Sequence, residues 1–147
     1  MGLFGKNKDD DTPTMSGGGM DMTPMVTMIA AAPEAQRREM LTDRLAVFAS
    51  QDEESRARGM AAMLTAALGL PDDDYATVAA SRLAVMLEMA PEDRAALMAT
   101  HAATVKGLED EALRQKEMRT TKQVVSQLPD EQREMVMGKM RELGMMP

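Results

Sequence analysis

Four prolines that are each followed by an acidic residue constrain the fold of this chain most. They are Pro33, Pro71, Pro91 and Pro129, and each pair reads Pro-Glu or Pro-Asp. Proline presets the backbone dihedral of a first helical turn, where its missing N–H leaves no hydrogen bond unmade. The neighbouring carboxylate opposes the positive end of the helix dipole. Each of these prolines therefore predicts the start of a helix.

Other start and stop signals extend this pattern along the chain. Residues 50–53 (Ser-Gln-Asp-Glu) read as a capping box, and Gly69, Gly107 and Gly144 stand where a helix end favours a left-handed residue. No segment shows the alternation of a strand. The sequence therefore predicts an all-α fold of six to seven short helices. We expect them near 24–31, 33–49, 52–68, 71–89, 91–106, 108–127 and 129–143.

The prolines also belong to an internal repeat with an offset of 58 residues, since residues 33–89 align without gaps on residues 91–147. Helical-repeat proteins show such periods, because each unit buries its apolar face against a neighbour. We predict two tandem three-helix units, 33–90 and 91–147, arranged as a helical repeat or a bundle within one domain. Identical pairs include Met40/Met98, Val47/Val105, Arg56/Arg114, Met60/Met118, Leu70/Leu128 and Val78/Val136.

The helix start at residues 128–135 (Leu-Pro-Asp-Glu-Gln-Arg-Glu-Met), with its relatives at 33 and 91, resembles a known type of repeat. It is similar to the short helical repeats of the intracellular domain of magnesium transporters and of flagellar switch proteins. The resemblance covers only these helix starts, so we carry no function over from it.

The beginning of the chain differs from the repeat. Residues 1–23 contain an Asp-Asp-Asp run and a Ser-Gly-Gly-Gly run, with little apolar surface to bury. Chain entropy therefore favours a flexible tail. After the tail, Thr23 as N-cap and Pro24 as first helical residue predict a short apolar helix. We expect residues 24–32 to dock on the rest of the protein.

Composition excludes several classes of function. The absence of cysteine excludes disulfides and thiolate metal sites and favours the reducing cytoplasm. A formal net charge of -7 opposes binding to nucleic acid. No apolar run reaches the roughly 20 residues that cross a bilayer. A peripheral membrane contact through Leu3, Phe4, Lys6 and Lys8 is the remaining route, which the Asp-Asp-Asp run opposes.

The predicted helices differ in their apolar surface. Residues 109–122 are almost wholly charged or polar, which predicts a solvated helix that projects from the body. His101, the only histidine, lies on an apolar face with Met98 and Val105, where a structural role is expected. The other predicted helices carry apolar residues at helical spacing along one face, which predicts that they pack into a core.

Methionine is strongly enriched, with 18 in the chain against two phenylalanines and one tyrosine. Its flexible thioether suits surfaces that repack around a partner helix, and it also fills cores that lack aromatic residues. We expect the repeated pairs Met40/Met98 and Met60/Met118 to lie in the core. The partner-facing candidates are Met60, Met63, Leu64, Met135, Met137, Met140 and Leu143.

These patterns favour a non-enzymatic cytoplasmic interaction module, which acts as an adaptor, a scaffold or an accessory subunit of a larger assembly. Its expected partner is a protein, including a second copy of the chain. The sequence offers no cysteine nucleophile, one histidine and no histidine-based metal motif, so we predict no catalytic residue and no cofactor. The alternative is a Cu(I)-binding protein, because Met20, Met22, Met25 and Met28 are closely spaced soft ligands.

Overall fold

A computed structural model describes residues 21–145 of the chain. Within this range the protein contains seven α-helices and no β-strand, which confirms the predicted all-α fold. The helices begin and end within about three residues of the predicted bounds. The predicted flexible tail lies, up to residue 20, outside the described residues. In chain order the helices are α1 (Thr23–Ala31), α2 (Glu34–Ser50), α3 (Glu53–Leu68), α4 (Asp72–Leu87), α5 (Pro91–Lys106), α6 (Glu111–Ser126) and α7 (Asp130–Glu142).

Three of the four prolines act as N-caps rather than as first helical residues. Pro33, Pro71 and Pro129 each have a ψ of 154°, and their carbonyls accept the first hydrogen bond of the following helix. Pro91 alone lies inside its helix, after Ala90 as N-cap. The fixed φ of proline suits both positions, so the sequence identifies the helix start but not the exact role of the proline.

Aspartates cap the two remaining helices of the repeat. The carboxylate of Asp52 accepts a hydrogen bond from the Ser55 N–H at 2.8 Å, and that of Asp110 accepts one from the Ala112 N–H at 2.9 Å. The capping residue of α3 is therefore Asp52 and not Ser50, which is the last residue of α2. These bonds satisfy N–H groups that a helix start leaves without an intrahelical partner.

An arginine four residues after the N-cap recurs in every helix from α2 to α7 except α4, where Tyr75 holds this position. The guanidinium group reaches back to a carbonyl of the preceding turn, which the previous helix leaves without a partner. One side chain thus ties the start of each helix to the end of the one before. The pairs are Arg37 with Ala32, Arg56 with Gln51, Arg94 with Met89, Arg114 with Leu108 and Arg133 with Leu128.

The three glycines expected to be left-handed behave differently. Only Gly144 has a positive φ, of 75°, in a Schellman-type end where the Met145 N–H donates to the Met140 carbonyl at 2.8 Å. The expectation is wrong for Gly69 and Gly107, whose φ values are -79° and -85°. At both positions the glycine N–H donates to carbonyls of the last helical turn, so the backbone of the glycine keeps a right-handed conformation.

From α1 to α6, each helix packs mainly on a helix two places away along the chain, whereas α7 packs mainly on α6. The most extensive contacts join α2 with α4 and α3 with α5, so α5 lies against helices of the first predicted unit. The two units therefore share one core and do not form separate bundles. The most deeply buried apolar side chains are Val26, Ile29, Leu41, Leu45, Leu68, Tyr75, Val78, Leu97 and Val105.

The expectation for α6 is wrong, because this helix is not a solvated projection. It packs against α3, α4, α5 and α7, and its inner face buries Glu117, Thr120, Val124 and Val125. A buried carboxylate is tolerated only where hydrogen bonds and opposite charges compensate its lost hydration. Two partners of Glu117, Tyr75 and His101, come from other helices, so the sequence of α6 alone reads as polar surface.

The short helix α1 packs on α3 and α4 through Val26 and Ile29. Its N-cap is Met22 and not Thr23, which is already helical. Met22 is 6% exposed and belongs to the core. The last residues of the predicted tail therefore belong to the packed body.

Candidate functional site

A cluster of polar side chains lies where α4, α5 and α6 meet. Glu117 of α6 stands at its centre and is fully buried. The hydroxyl of Tyr75 in α4 donates to Glu117 Oε1. Glu117 Oε2 lies 2.8 Å from His101 Nε2 in α5 and accepts a hydrogen bond from Thr121 Oγ1 at 2.6 Å. One carboxylate therefore connects three helices.

The charges around this cluster favour the ionised carboxylate. Burial by itself raises the pKa of Glu117, but the hydrogen bond and charge of His101, with the charge of Arg82, outweigh burial and lower this pKa to about 2. Burial raises the pKa of the Tyr75 hydroxyl above its usual range, and the Glu117 charge adds to this effect. At neutral pH, Tyr75 is therefore a neutral donor and Glu117 a charged acceptor.

Lys116 of α6 replaces the arginine that is missing at the start of α4. Its Nζ donates to the carbonyls of Leu68, at 3.0 Å, and Leu70, at 2.6 Å. The same Nζ lies 5.7 Å from the centre of the Tyr75 ring. Leu70 stands five residues before Tyr75, just as Gln51, whose carbonyl Arg56 binds, stands five residues before Arg56. Since Tyr75 is engaged with Glu117, a lysine from another helix supplies the donor at this turn.

A cavity of about 70 Å³ lies beside the cluster, between α4, α5, α6 and α7. Among the described residues, Gln51 Oε1 is the only buried side-chain oxygen or nitrogen without a hydrogen-bond partner. The polar cluster is thus internally satisfied and holds the helices together, whereas the cavity is the open part of the site. Its polar wall consists of Arg82, His101, Glu117 and Thr121, and its apolar wall includes Met86, Met98, Met140 and Met145.

A second opening, of about 360 Å³, separates α5 from α7 at the surface. We call it the α5/α7 groove. In the first unit the equivalent helices, α2 and α4, share the most extensive contact between described helices, whereas α5 and α7 make little contact. Only Val136 of α7 is buried. The groove is lined by Pro91, Arg94, Ala95, Met98, Glu134, Met135, Val136, Gly138, Lys139 and Glu142.

The partner-facing candidates separate into two groups. Met60, Met63 and Leu64 lie in the core and are 8%, 8% and 4% exposed, because α1 and α5 cover that face of α3. Their assignment to a partner-facing surface is therefore corrected. In α7 and the turn that follows, Met135 is 43% exposed and borders the groove, while Met137, Met140 and Leu143 are half-buried. Partner binding by these four residues stays a prediction.

The repeated methionines do not all lie in the core. Met60 lies in the core. Met40 and Met98 are half-buried and pack against the core. Met118, the counterpart of Met60, is 41% exposed on the outer side of α6. The core expectation is therefore wrong for Met118, because the inner face of α6 is occupied by the polar cluster and its neighbours.

The N-terminal methionines proposed as Cu(I) ligands are placed in different environments. Met20 lies outside the described residues. Met22 is buried in the core, Met25 is half-buried against it, and Met28 is 62% exposed. The three described thioethers therefore do not share one surface of α1.

Sequence reasoning did not single out Glu117 or Tyr75. One signal was present for Tyr75, the only tyrosine, because it occupies the place that arginine holds in the other helices of the repeat. Glu117 carries no such signal, since it stands among exposed charged residues of the same helix. His101 lines the cavity together with Met98, and its contact with the Glu117 carboxylate is one that spacing does not show.

Among the residues that the structure describes, no helix is both long and apolar enough to cross a bilayer. No protein-family model matches the chain, and neither a curated protein nor a solved structure shows significant similarity to it.

Proposed function

We propose that this chain is a protein-interaction module that accepts a helix of a partner protein in the α5/α7 groove. The observation that carries the proposal is the gap between α5 and α7, whose counterparts α2 and α4 pack closely. A groove bordered by helices and floored by apolar side chains suits the apolar face of an amphipathic helix.

Residues at the same distance from the N-caps of α2 and α5 differ in how they are covered. Leu41 stands four residues after Arg37, and Met98 stands four residues after Arg94. Both arginines donate to a carbonyl of the preceding turn. Leu41 is fully buried, whereas Met98 is half-buried and lines the groove. A partner helix that covers Met98 and Met135 gains about 25 cal/mol for each Å² of apolar surface removed from water.

The rim of the groove indicates what kind of helix fits. It carries Arg94 and Lys139 as positive groups and Glu134 and Glu142 as negative groups. Lys139 and Glu142 pair with each other at 3.1 Å. A rim of mixed charge around an apolar floor is typical of protein interfaces and does not favour a phosphate backbone. The expected partner is a helix with an apolar stripe flanked by charges of both signs.

Site-specific photo-crosslinking in the source cells tests the proposal. We expect the full chain with p-benzoylphenylalanine at Met135 to form a discrete product with one other protein. The matched control carries the probe at Met28, an exposed methionine of α1, and should not form this product.

A second variant blocks the groove without changing the core. A Cβ at Gly138 would meet no atom within 4 Å, so Gly138→Leu adds bulk to the groove wall alone. We expect it to abolish the product formed from position 135. Equal products from positions 135 and 28, or a product that persists in the Gly138→Leu chain, would contradict the proposal.

A further inference from the structure

Four methionines from distant parts of the chain border the same cavity as the only histidine. Met86 belongs to α4, Met98 to α5 and Met140 to α7, and Met145 follows α7. His101 of α5 forms part of the same wall. Thioether sulfur and imidazole nitrogen are ligands that Cu(I) accepts, and thioethers select against hard cations.

The hydrogen bond of His101 leaves one ring nitrogen for a ligand. Nε2 lies 2.8 Å from the carboxylate of Glu117, which favours a proton on Nε2, so a metal ion at Nδ1 would take the place that a second proton holds in the charged ring. No hydrogen bond from a described residue engages Nδ1, and Nδ1 is not among the buried atoms that lack a partner. It therefore keeps access to the cavity or to solvent. A carboxylate behind the imidazole is also the arrangement that orients histidines bound to metals.

Size and charge restrict what the cavity can hold. Its volume of about 70 Å³ exceeds the roughly 10–15 Å³ that one water molecule needs. Arg82 and Glu117 carry opposite charges in the polar wall, so that wall is close to neutral. A monovalent ion adds one charge to this wall, whereas a divalent ion adds two. Among the described residues no group of three or more histidine, cysteine, aspartate or glutamate side chains could hold a metal ion, so a hard cation lacks a ligand set here.

The thioethers on the α7 side have room to adjust. Met140 and Met145 are half-buried, and α7 buries only Val136. The turn after α7 is held to α5 by Lys106 Nζ, which donates to the Leu143 carbonyl at 2.5 Å. Methionine has three rotatable side-chain bonds and adapts to irregular space. Both sulfur atoms can therefore turn toward an ion while the helix ends stay in place.

We infer that this cavity binds one Cu(I) ion through His101 Nδ1 and thioethers among Met86, Met98, Met140 and Met145. The site is separate from the N-terminal methionines, because its ligands border one cavity between α4, α5, α6 and the end of α7. It goes beyond the proposed interaction function and requires no partner protein.

Titration of the full chain with Cu(I) against a chromophoric Cu(I) chelator tests the inference. Ag(I) serves as an oxidation-stable probe of the same site for methyl NMR. We expect one tightly bound ion per chain, with shifts confined to the methyl groups of the four cavity methionines and to the His101 ring. Shifts centred on Met25 and Met28, or no binding, would overturn the inference.

Paired leucine variants supply the control. Leucine keeps the volume of methionine and removes the sulfur, so Met86→Leu with Met140→Leu should fold and bind Cu(I) at least tenfold more weakly. Met25→Leu with Met28→Leu should leave the affinity unchanged. Circular dichroism checks that both chains are folded. Unchanged affinity in the first chain, or complete loss of the ion to millimolar glutathione, also overturns the site.

Discussion

The hydroxyl of Tyr75 donates a hydrogen bond to the carboxylate of Glu117, 42 residues further along the chain. Both side chains are fully buried. The bond joins α4 to α6, and His101 adds α5 through the other carboxylate oxygen. Removal of a partner leaves a buried polar group with fewer hydrogen bonds, so we expect substitutions in this cluster to destabilise the fold.

Replacement of Tyr75 by phenylalanine should lower the free energy of unfolding by about 1–3 kcal/mol, because Glu117 loses one buried donor. Urea unfolding followed by circular dichroism measures this change. The control is Thr77→Val in the same helix, which removes a hydroxyl bonded only to the Asp73 carbonyl at 3.0 Å. It should change stability by about 0.5 kcal/mol or less. Equal losses in both variants would count against the Tyr75–Glu117 bond as the cause.

Replacement of Glu117 by glutamine should destabilise the protein in a pH-dependent way. The folded pKa of about 2 lies below the usual 4.5, so the ionised carboxylate stabilises the fold fully above pH 4.5. This contribution is lost as the pH falls from 4.5 toward 2. We expect a deficit of about 2–3 kcal/mol at pH 7 that narrows below pH 4.5.

Urea unfolding at a series of pH values measures the difference between the wild type and the Glu117→Gln chain. Titration of the other carboxylates cancels, because both proteins share them. Glu109→Gln, an exposed change near the start of α6, should follow the wild type throughout. A deficit that stays constant down to pH 2.5 would refute the depressed pKa of Glu117.

Arginine at the fourth position after the N-cap should contribute more to stability than its exposed neighbours. Arg56 donates to the carbonyls of Phe48, at 3.1 Å, and Gln51, at 2.9 Å. We expect Arg56→Gln to cost about 1.5–3 kcal/mol, the range for hydrogen bonds to charged groups. Arg58→Gln, two residues away and more than half exposed, should change stability by less than about 0.5 kcal/mol. Thermal and urea unfolding compare the two, and similar effects would show that the carbonyl bonds contribute little.

Two glycines of the C-terminal part should respond to alanine with opposite signs. Gly144 has a φ of 75°, and an added Cβ would approach Lys106 Nζ to 3.0 Å. Alanine there should cost about 1–2 kcal/mol. Gly138 lies inside α7 with no atom within 4 Å of an added Cβ, so alanine should stabilise by about 0.5–1 kcal/mol. Changes of the same sign in unfolding experiments would contradict the left-handed end of α7.

The helix starts show which structural features a local sequence pattern predicts and which it does not. Pro33 and Pro129 mark the right positions because a proline with an adjacent carboxylate acts within one turn. Whether such a proline is the N-cap or the first helical residue was not predicted, since its φ suits both. The arginine that follows was visible as the identical pair Arg56 and Arg114. Its role was not predicted, because the carbonyl it binds belongs to the end of another helix.

The sequence by itself determined the helices, their order and their approximate ends, because capping, helix propensity and apolar spacing act over a few residues. Only the tertiary structure decided which polar and sulfur-bearing side chains meet. The sequence of α6 places Glu117 among surface residues, and only the packing of α4 and α5 brings Tyr75 and His101 to it. Met86 and Met140 border one cavity only because α6 packs on both α4 and α7. These contacts depend on the packing of helices far apart in the chain, and on the compensation of buried charge that this packing provides.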